Sequence, residues 1–389
     1  MSPRDRCRVS VERNAAELIT LSRSLHAEPE TAFQEFRSAE KVARVLEDGG
    51  FRVERGAGGL PTAFTATYGS GRLVAGLCAE YDALPGMGHA CGHNIIAAAS
   101  AGAALALREV ADELDLTVKL LGTPAEESGG GKIALLEQGV FDDVAMAMMV
   151  HPSPDEVGAP ASLAIMDLRV RFSGRASHAA LAPHLGVNAA DALTIAQVAV
   201  GLLRQHLEPG QLVHGIVTDA GAAPNIVPAE AGALFELRAP DVAALHRLET
   251  RVRACLAAGA MGTGCTHEVD HVSPIYAELT CDGWLADAYC TAVAELGRRP
   301  LRPAEGRPRI AAGTDMGNVS RVLPVVHPTI AIDCGDAVNH QPEFAAACAT
   351  PSADRAVLDG ALALAWTAVA AAADEEERAR LLDGVARRA

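Results

Sequence analysis

The stretch Arg72-Leu73-Val74-Ala75-Gly76-Leu77-Cys78-Ala79-Glu80-Tyr81-Asp82, running on through Gly88-His89-Ala90-Cys91-Gly92-His93-Asn94 into the small-residue segment Ile95 to Val110, decides how this chain folds. Arg72 to Cys78 is a short apolar run bounded by glycine, which reads as a buried strand. The glycine-rich segment after it reads as a loop, and Ile95 to Val110 has the length and composition of a helix. The pattern recurs. Leu116 to Gly122 predicts a second strand with a helix around Ile133 to Gln138, and Val144 to Val150 a third strand. Continuous apolar strands alternating with helices indicate a mostly parallel α/β sheet buried under helices on both faces. Upstream, Asn14 to His26 and Phe36 to Asp48 show helical spacing, stopped by Gly49-Gly50.

The rhythm changes near Ala164. Met166-Asp167-Leu168-Arg169-Val170-Arg171-Phe172 alternates apolar with polar residues, as a sheet with one wet face does. Strands at Ile165 to Phe172, Leu212 to Thr218, Ala231 to Arg238 and Thr266 to Val272, with helices at Val187 to Gln205 and Val242 to Ala257, make an α+β unit. After Tyr276 the α/β character returns, with a helix at Leu285 to Leu296 and a strand at Thr329 to Asp333. A chain of 389 residues exceeds one ordinary core. The expected organisation is therefore one domain, Met1–Leu163 plus Ala277–Ala389, interrupted by a second, Ala164–Tyr276.

A formal net charge of −16 leaves no phosphate-neutralising surface, so nucleic acid is set aside as a partner. The longest apolar candidate for a membrane span, Ala97 to Leu107, is too short and ends in Arg108-Glu109, so no membrane role is expected. The charged N-terminus lacks an apolar leader, and the nine scattered cysteines contain no C-x-x-C pair. A cytoplasmic protein with reduced thiols is the expectation.

Three polar clusters follow directly after buried strands: Glu80 to His93, then Pro124-Ala125-Glu126-Glu127, then His151. Residues placed there converge at the carboxyl edge of an open α/β sheet. His340 lies in a fourth loop, after the strand ending at Asp333. Cys91, His93, Glu127, His151 and His340 are the nitrogen, sulfur and oxygen donors that suit zinc and its neighbours. They are too many for one tetrahedral ion, which suggests two ions bridged by a thiolate or a carboxylate. Of the adjacent acids Glu126 and Glu127, one can bind metal while the other moves protons. Taken singly, each has a plainer reading: a loop histidine, a buried cysteine, an acidic helix start. Their joint placement at strand exits favours the ligand set. Cys7, Cys78, Cys255, Cys265, Cys281, Cys290, Cys334 and Cys348, and His26, His206, His246, His267 and His271, keep the plain reading. Asp82 either supports a ligand imidazole or is an ordinary loop carboxylate.

Gly88-His89-Ala90-Cys91-Gly92-His93-Asn94, Thr123-Pro124-Ala125-Glu126-Glu127 with Gly129-Gly130-Gly131-Lys132, and Met148-Met149-Val150-His151-Pro152 resemble the dinuclear metallopeptidase family of aminoacylases, hippurate hydrolases and indole-acetyl-amino-acid hydrolases. The resemblance continues through Gly174-Arg175-Ala176-Ser177-His178, Ala223-Pro224-Asn225-Ile226-Val227-Pro228, Gly313-Thr314-Asp315-Met316-Gly317 and His340-Gln341-Pro342-Glu343-Phe344. It covers nearly the whole chain and is closest to the branch of aminoacylase-1-like dipeptidases and aminobenzoyl-glutamate hydrolases. It implies a metal-dependent amidohydrolase acting on a small N-acyl amino acid, dipeptide or aminobenzoyl-amino acid. It implies two divalent ions, zinc or manganese, with cobalt or nickel as substitutes. Cys91 is then the bridge, His93, Glu127, His151 and His340 complete the shells, and Glu126 is the general base. On the same basis His178 and Asn225 steady the oxyanion and the substrate, and Arg238 with the Gly313-Thr314 backbone grips a carboxylate. The inserted domain becomes a lid that pairs two subunits in a homodimer. This sequence has Asn94 where many relatives have Asp, and His184 where close relatives often have Trp.

Three other classes compete. A metal-free cysteine hydrolase would use Cys91 near a helix N-terminus with His89 or His93 as base, but leaves Glu127, His151 and His340 unexplained. A non-catalytic binding protein on the same scaffold would carry a damaged ligand or base, and none is damaged. A nucleotide enzyme lacks its G-x-G-x-x-G at a strand–helix junction.

Overall fold

The computed structural model describes residues 1–301 and 312–388. From the N-terminus, α1 (Pro3–Ala27) and α2 (Phe36–Asp48) lead into β1 (Arg52–Arg55), β2 (Phe64–Tyr68) and β3 (Leu73–Ala79). Then come α3 (His93–Arg108), β4 (Leu116–Gly122), α4 (Gly131–Glu137), β5 (Met146–Met148) and β6 (His151–Ser153). They are followed by β7 (Ala164–Ser173), α5 (Ala189–Leu203), β8 (Leu212–Asp219), β9 (Glu230–Ala239), α6 (Val242–Thr263) and β10 (Thr266–His271). The chain closes with α7 (Gly283–Ala294), α8 (Met316–Ser320), β11 (Val325–Val326), β12 (Thr329–Ala331), α9 (Pro342–Ala347), α10 (Pro351–Ala373) and α11 (Glu375–Arg388).

These elements form two units. The larger takes Met1–Ala161 and the described residues from Leu279 and from Thr314 onward; the smaller takes Ser162–Glu278 with 312–313. In the larger unit a six-stranded sheet runs in the order β1-β2-β4-β3-β5-β11. β3 pairs in parallel with both β4 and β5, and β11 in parallel with β5, while β1 and β2 are antiparallel additions. This is the mostly parallel α/β sheet the apolar strands called for, with an α+β unit inserted into it.

Small residues set how closely the layers approach. A Cβ on Gly102 of α3 would stand 2.8 Å from both Ala361 of α10 and Leu18 of α1. The missing side chain at Gly102 is the space that the Ala361 methyl and the Leu18 side chain fill, so the three helices pack closely. Helix α10, and not the Ala97–Leu107 segment, is long and apolar enough to cross a membrane, yet 78% of its most apolar window is buried inside the protein. It is the core helix of this unit.

Three local readings need correction. Helix α1 starts at Pro3 rather than Asn14, because Ser2 and Asp5 form a reciprocal capping box with Pro3 in the first turn. β1 and β2 were not among the expected strands; for β1, Arg-Val-Glu-Arg on a sheet edge carries almost no apolar signal. The run Val144–Val150 splits: β5 ends at Met148 and His151 opens β6, which pairs in parallel with β12. Hydrogen bonds from Met149 N to Val326 O (3.2 Å) and His151 N to Pro328 O (2.9 Å) keep the backbone in register across the break.

In the smaller unit a four-stranded antiparallel sheet, ordered β10-β7-β9-β8, is covered on one face by α5 and α6. Met166, Leu168, Val170 and Phe172 are buried there, and Asp167, Arg169 and Arg171 face away, as the alternation requires. The two helices touch closely at Gly259, where a Cβ would lie 2.2 Å from the carbonyl oxygen of Ala192.

Candidate metal centre

β3, β4 and β5 end side by side, and the residues after them are short of alternatives in space. Gly92 has φ of +78°, and a Cβ on it would meet Pro152 at 2.3 Å and the Cys348 thiol at 3.1 Å. That left-handed turn lets Cys91 sit immediately before α3 while His93 opens the helix. Ala125 and His340 also hold positive φ, at 59° and 69°, without being glycine. Backbone strain of this kind is found where a side chain must be aimed. Here Ala125 precedes the two glutamates, and His340 is tied by its backbone N–H to Ala90 O at 2.8 Å.

Asp82 bonds to two site residues. His93 Nδ1 donates to Asp82 Oδ1 at 2.9 Å, and the Glu127 backbone N–H donates to Asp82 Oδ2 at 3.0 Å. Burial pushes the Asp82 carboxyl up, but His93 outweighs it and the group stays below its usual value, ionised and accepting. His93 Nδ1 therefore carries a proton, and Nε2 is left with no hydrogen-bond partner among the described residues, turned toward the other donors. His151 is oriented the same way, its Nδ1 donating to Pro152 O at 2.8 Å while Nε2 stands 3.4 Å from Cys91 Sγ.

The five expected ligands are brought together. Their donor atoms form two overlapping groups, Cys91 with His93 and His151, and Cys91 with Glu127 and His340. Bonds of about 2.0–2.3 Å around a tetrahedral zinc place ligand atoms roughly 3.3–3.8 Å apart. Cys91 Sγ to His151 Nε2 (3.4 Å) and Glu127 Oε1 to His340 Nε2 (3.5 Å) lie in that range. The chemistry of this donor set fits two divalent ions sharing the thiolate. A thiol nucleophile fits poorly, because burial and the neighbouring Glu127 push the Cys91 thiol well above its ordinary value. His89 offers no base, being buried and ring-stacked on His26.

Glu126 is buried, its Oε2 3.9 Å from His93 Nε2. Burial first, then the charges of Glu80, Glu127 and Asp315, hold its carboxyl well above the usual range. For Glu127 burial also acts upward, but His340 and His93 prevail and lower it. Two adjacent glutamates are thus driven apart in basicity by their surroundings.

Thr314 belongs to the larger unit and is buried, its Oγ1 accepting from Met316 N at 3.2 Å. Gly313 belongs to the smaller unit, where a Cβ would stand 2.3 Å from Ile165. His178, Asn225 and Arg238 also lie in the smaller unit. His178 is exposed, and its Nδ1 accepts backbone N–H bonds from Ala180 and Leu181, both 3.2 Å, which puts the ring proton on Nε2, pointing outward as a donor. Asn225 lies next to it, its carbonyl accepting from Ala179 N at 3.0 Å. Arg238 is on the open face of the sheet beside Glu236, to which its Nε donates.

Four residues escaped the sequence reading as parts of the site. Lys132, Glu80 and Asp315 form a fully buried ionic cluster. Lys132 and Asp315 stand inside the glycine-rich motifs that carry the family resemblance, which was the available signal. His327, buried at the exit of β11, lies with its ring tilted against His151 at 5.6 Å between centroids, and neither of its nitrogens has a hydrogen-bond partner among the described residues. A lone histidine after a two-residue strand gave no signal.

Residues 76–356 match the model of peptidase family M20/M25/M40. The chain is 36% identical over 391 residues to the Xaa-Arg dipeptidase of Mus musculus, covering 96% of this chain and 89% of that one. It is 37% identical over 261 residues to one of the subunits of p-aminobenzoyl-glutamate hydrolase in Escherichia coli, covering 62% and 54%. A dinuclear metal-binding M20 peptidase of Bacillus subtilis has the same fold, with a TM-score of 0.68 at 23% identity over 90% of this chain and 98% of that one. With a donor set built for divalent cations and a family match over most of its length, the chain belongs to peptidase family M20/M25/M40 and is a metal-dependent amide hydrolase.

Proposed function

We propose that this protein is a dinuclear-metal dipeptidase or N-acyl-amino-acid hydrolase, cleaving a small linear amide whose amine half is an amino acid. The observation that carries this reading is the pair of three-donor groups meeting at one thiol, Cys91. Zinc or manganese suits these donors, with cobalt or nickel as substitutes. When bound, two such cations supply Lewis-acid activation of water and of the scissile carbonyl.

The chain's own residues do the rest. Glu126 takes the proton of the attacking water and returns it to the leaving amine, a task that suits a carboxyl raised by burial. His178 Nε2–H donates to the oxyanion and Asn225 orients the amide. Arg238 and the Gly313-Thr314 backbone hold the substrate carboxylate, for which a guanidinium has the better geometry. The similarity to an Xaa-Arg dipeptidase along nearly the full length supports a dipeptide substrate.

The same reading includes a homodimer formed by the smaller unit. Ile195, Val198 and Leu202 make an exposed apolar stripe on α5, and Leu212, Ile216 and Val217 are exposed on the edge strand β8. An apolar helix face beside an uncovered strand edge supports subunit pairing. A cytoplasmic setting belongs with it, since Cys91 must stay a free thiol to serve as bridge.

The test is a screen of N-acyl amino acids, aminobenzoyl conjugates and dipeptides on metal-reconstituted enzyme. Activity should vanish with chelator and return with zinc, manganese or cobalt. Glu126→Gln should keep both metals by elemental analysis and lose most turnover. Chelator-resistant activity abolished by thiol alkylation would favour the Cys91 nucleophile instead.

A further inference from the structure

Gly129-Gly130-Gly131-Lys132 and Thr314-Asp315 are motifs that the proposed chemistry leaves partly unused, and the fold brings their ends together. The chain leaving β4 turns back on itself: Gly130 has φ of +66° and its N–H donates to Ala125 O at 3.0 Å. A Cβ on Gly131 would lie 1.9 Å from Pro124 O, so no side chain fits there. This tight loop carries Glu126 and Glu127 on its outward limb and lowers Lys132 beneath the site, where the lysine is fully buried.

Lys132 there joins three segments. Its Nζ donates to Glu80 Oε1 and, at 2.7 Å, to Asp315 Oδ1, while its backbone N–H donates to Asp315 Oδ2 at 2.9 Å. Glu80 and Asp315 are also fully buried. The other oxygen of Glu80 has no hydrogen-bond partner among the described residues and faces His93 Nε2 at 3.5 Å. Glu80, His93 and Glu126 offer atoms within 4.8 Å of one another. Asp315 follows Thr314 directly in sequence. One ammonium therefore ties the exit of β3 under the base to the base loop and to the segment proposed to hold the substrate.

Stability does not explain such a cluster. Burying two carboxylates and one ammonium costs desolvation that their attraction offsets only in part, and apolar residues of the same volume often do as well. We propose that Lys132 is a positioning residue of the hydrolysis: it fixes Glu80 against His93 and Glu126 on one side and, through Asp315, fixes Thr314 on the other. The proposal rests on Glu126 being the base and on Thr314 contacting substrate.

Two near-isosteric variants separate the arms. Glu80→Gln should lower kcat by on the order of 10- to 100-fold with KM nearly unchanged, and Asp315→Asn should raise KM by a similar factor, as for other residues that orient a metal site from behind. Lys132→Met should do both, with two metals still bound by elemental analysis. Because Lys132→Met leaves two buried carboxylates unpaired and can fail to fold, the charge-free triple variant Lys132→Met, Glu80→Gln, Asp315→Asn decides the matter. The expected result is a recovered thermal midpoint without recovered kcat or KM. Recovery of parental kcat and KM in the triple variant would show that the cluster only fills space and overturn the proposal. Metal loss from Lys132→Met would also overturn it, assigning the lysine to metal retention. The base assignment fails separately, through Glu126→Gln that turns over at the parental rate.

Discussion

His93 Nδ1 donates to Asp82 Oδ1 at 2.9 Å, and this bond fixes which nitrogen of His93 faces the metal centre. The second oxygen of the same carboxylate accepts the Glu127 backbone N–H. One buried side chain thus orients one donor from each of the two groups that share Cys91.

Asp82→Asn keeps the shape but replaces an obligate acceptor with an amide that can also donate. Metal affinity should fall about 10- to 100-fold, measured by competition with a chromogenic chelator. Unchanged affinity would mean that packing alone orients His93.

The shared thiol gives a graded expectation. Cys91→Ala and His151→Ala should each lose metal as well as activity, since each removes a donor atom. Cys91→Asp should be milder, because a carboxylate can also bridge two cations. With cobalt bound, the parent should show a sulfur-to-cobalt charge-transfer band that is absent from Cys91→Asp. Full metal content in Cys91→Ala would remove the bridging role.

In the proposed dimer His178 serves the partner's site. Its loss should cost on the order of 10²–10³ in kcat, as for other oxyanion donors, whereas His340→Ala should be inactive through loss of a ligand in its own subunit. Exchanging subunits between His178→Ala and His340→Ala builds dimers with one doubly damaged and one intact site. Activity should reappear in the mixture. If demonstrably exchanged dimers stay inactive, His178 acts within its own chain or not at all.

Glu249 gives a pH test outside the site. It accepts from His271 at 2.7 Å, Arg253 at 2.8 Å and His246 at 3.2 Å. Burial raises its carboxyl, but these bonds prevail and bring it down to about 2 from 4.5. A lowered carboxyl stabilises the fold above its unfolded value and stops doing so as pH falls through its folded one. Glu249→Gln should therefore be less stable than the parent by about 1 kcal/mol at pH 7, the scale of largely exposed pairs. The difference should shrink between pH 4.5 and pH 2, followed by denaturant titration. A gap that widens between pH 4.5 and pH 2 would contradict this assignment.

The sequence by itself determined the α/β order and the α+β insertion, and it pointed to the five candidate donors that the structure brings together. Apolar runs such as Leu116–Gly122 fix buried strands through local hydrophobicity, and strand exits gather polar residues whatever lies between them. Asp82 was visible only as two alternatives, because a loop carboxylate looks the same in sequence whether or not an imidazole points at it. The division of the donors into two groups meeting at Cys91, the ring orientations of His93 and His151, and the Lys132 cluster were decided by tertiary structure. Lys132 lies 52 residues from Glu80 and 183 from Asp315 along the chain. Buried charges take their roles from partners at such distances, and no local pattern of hydrophobicity or propensity records which partner each one meets.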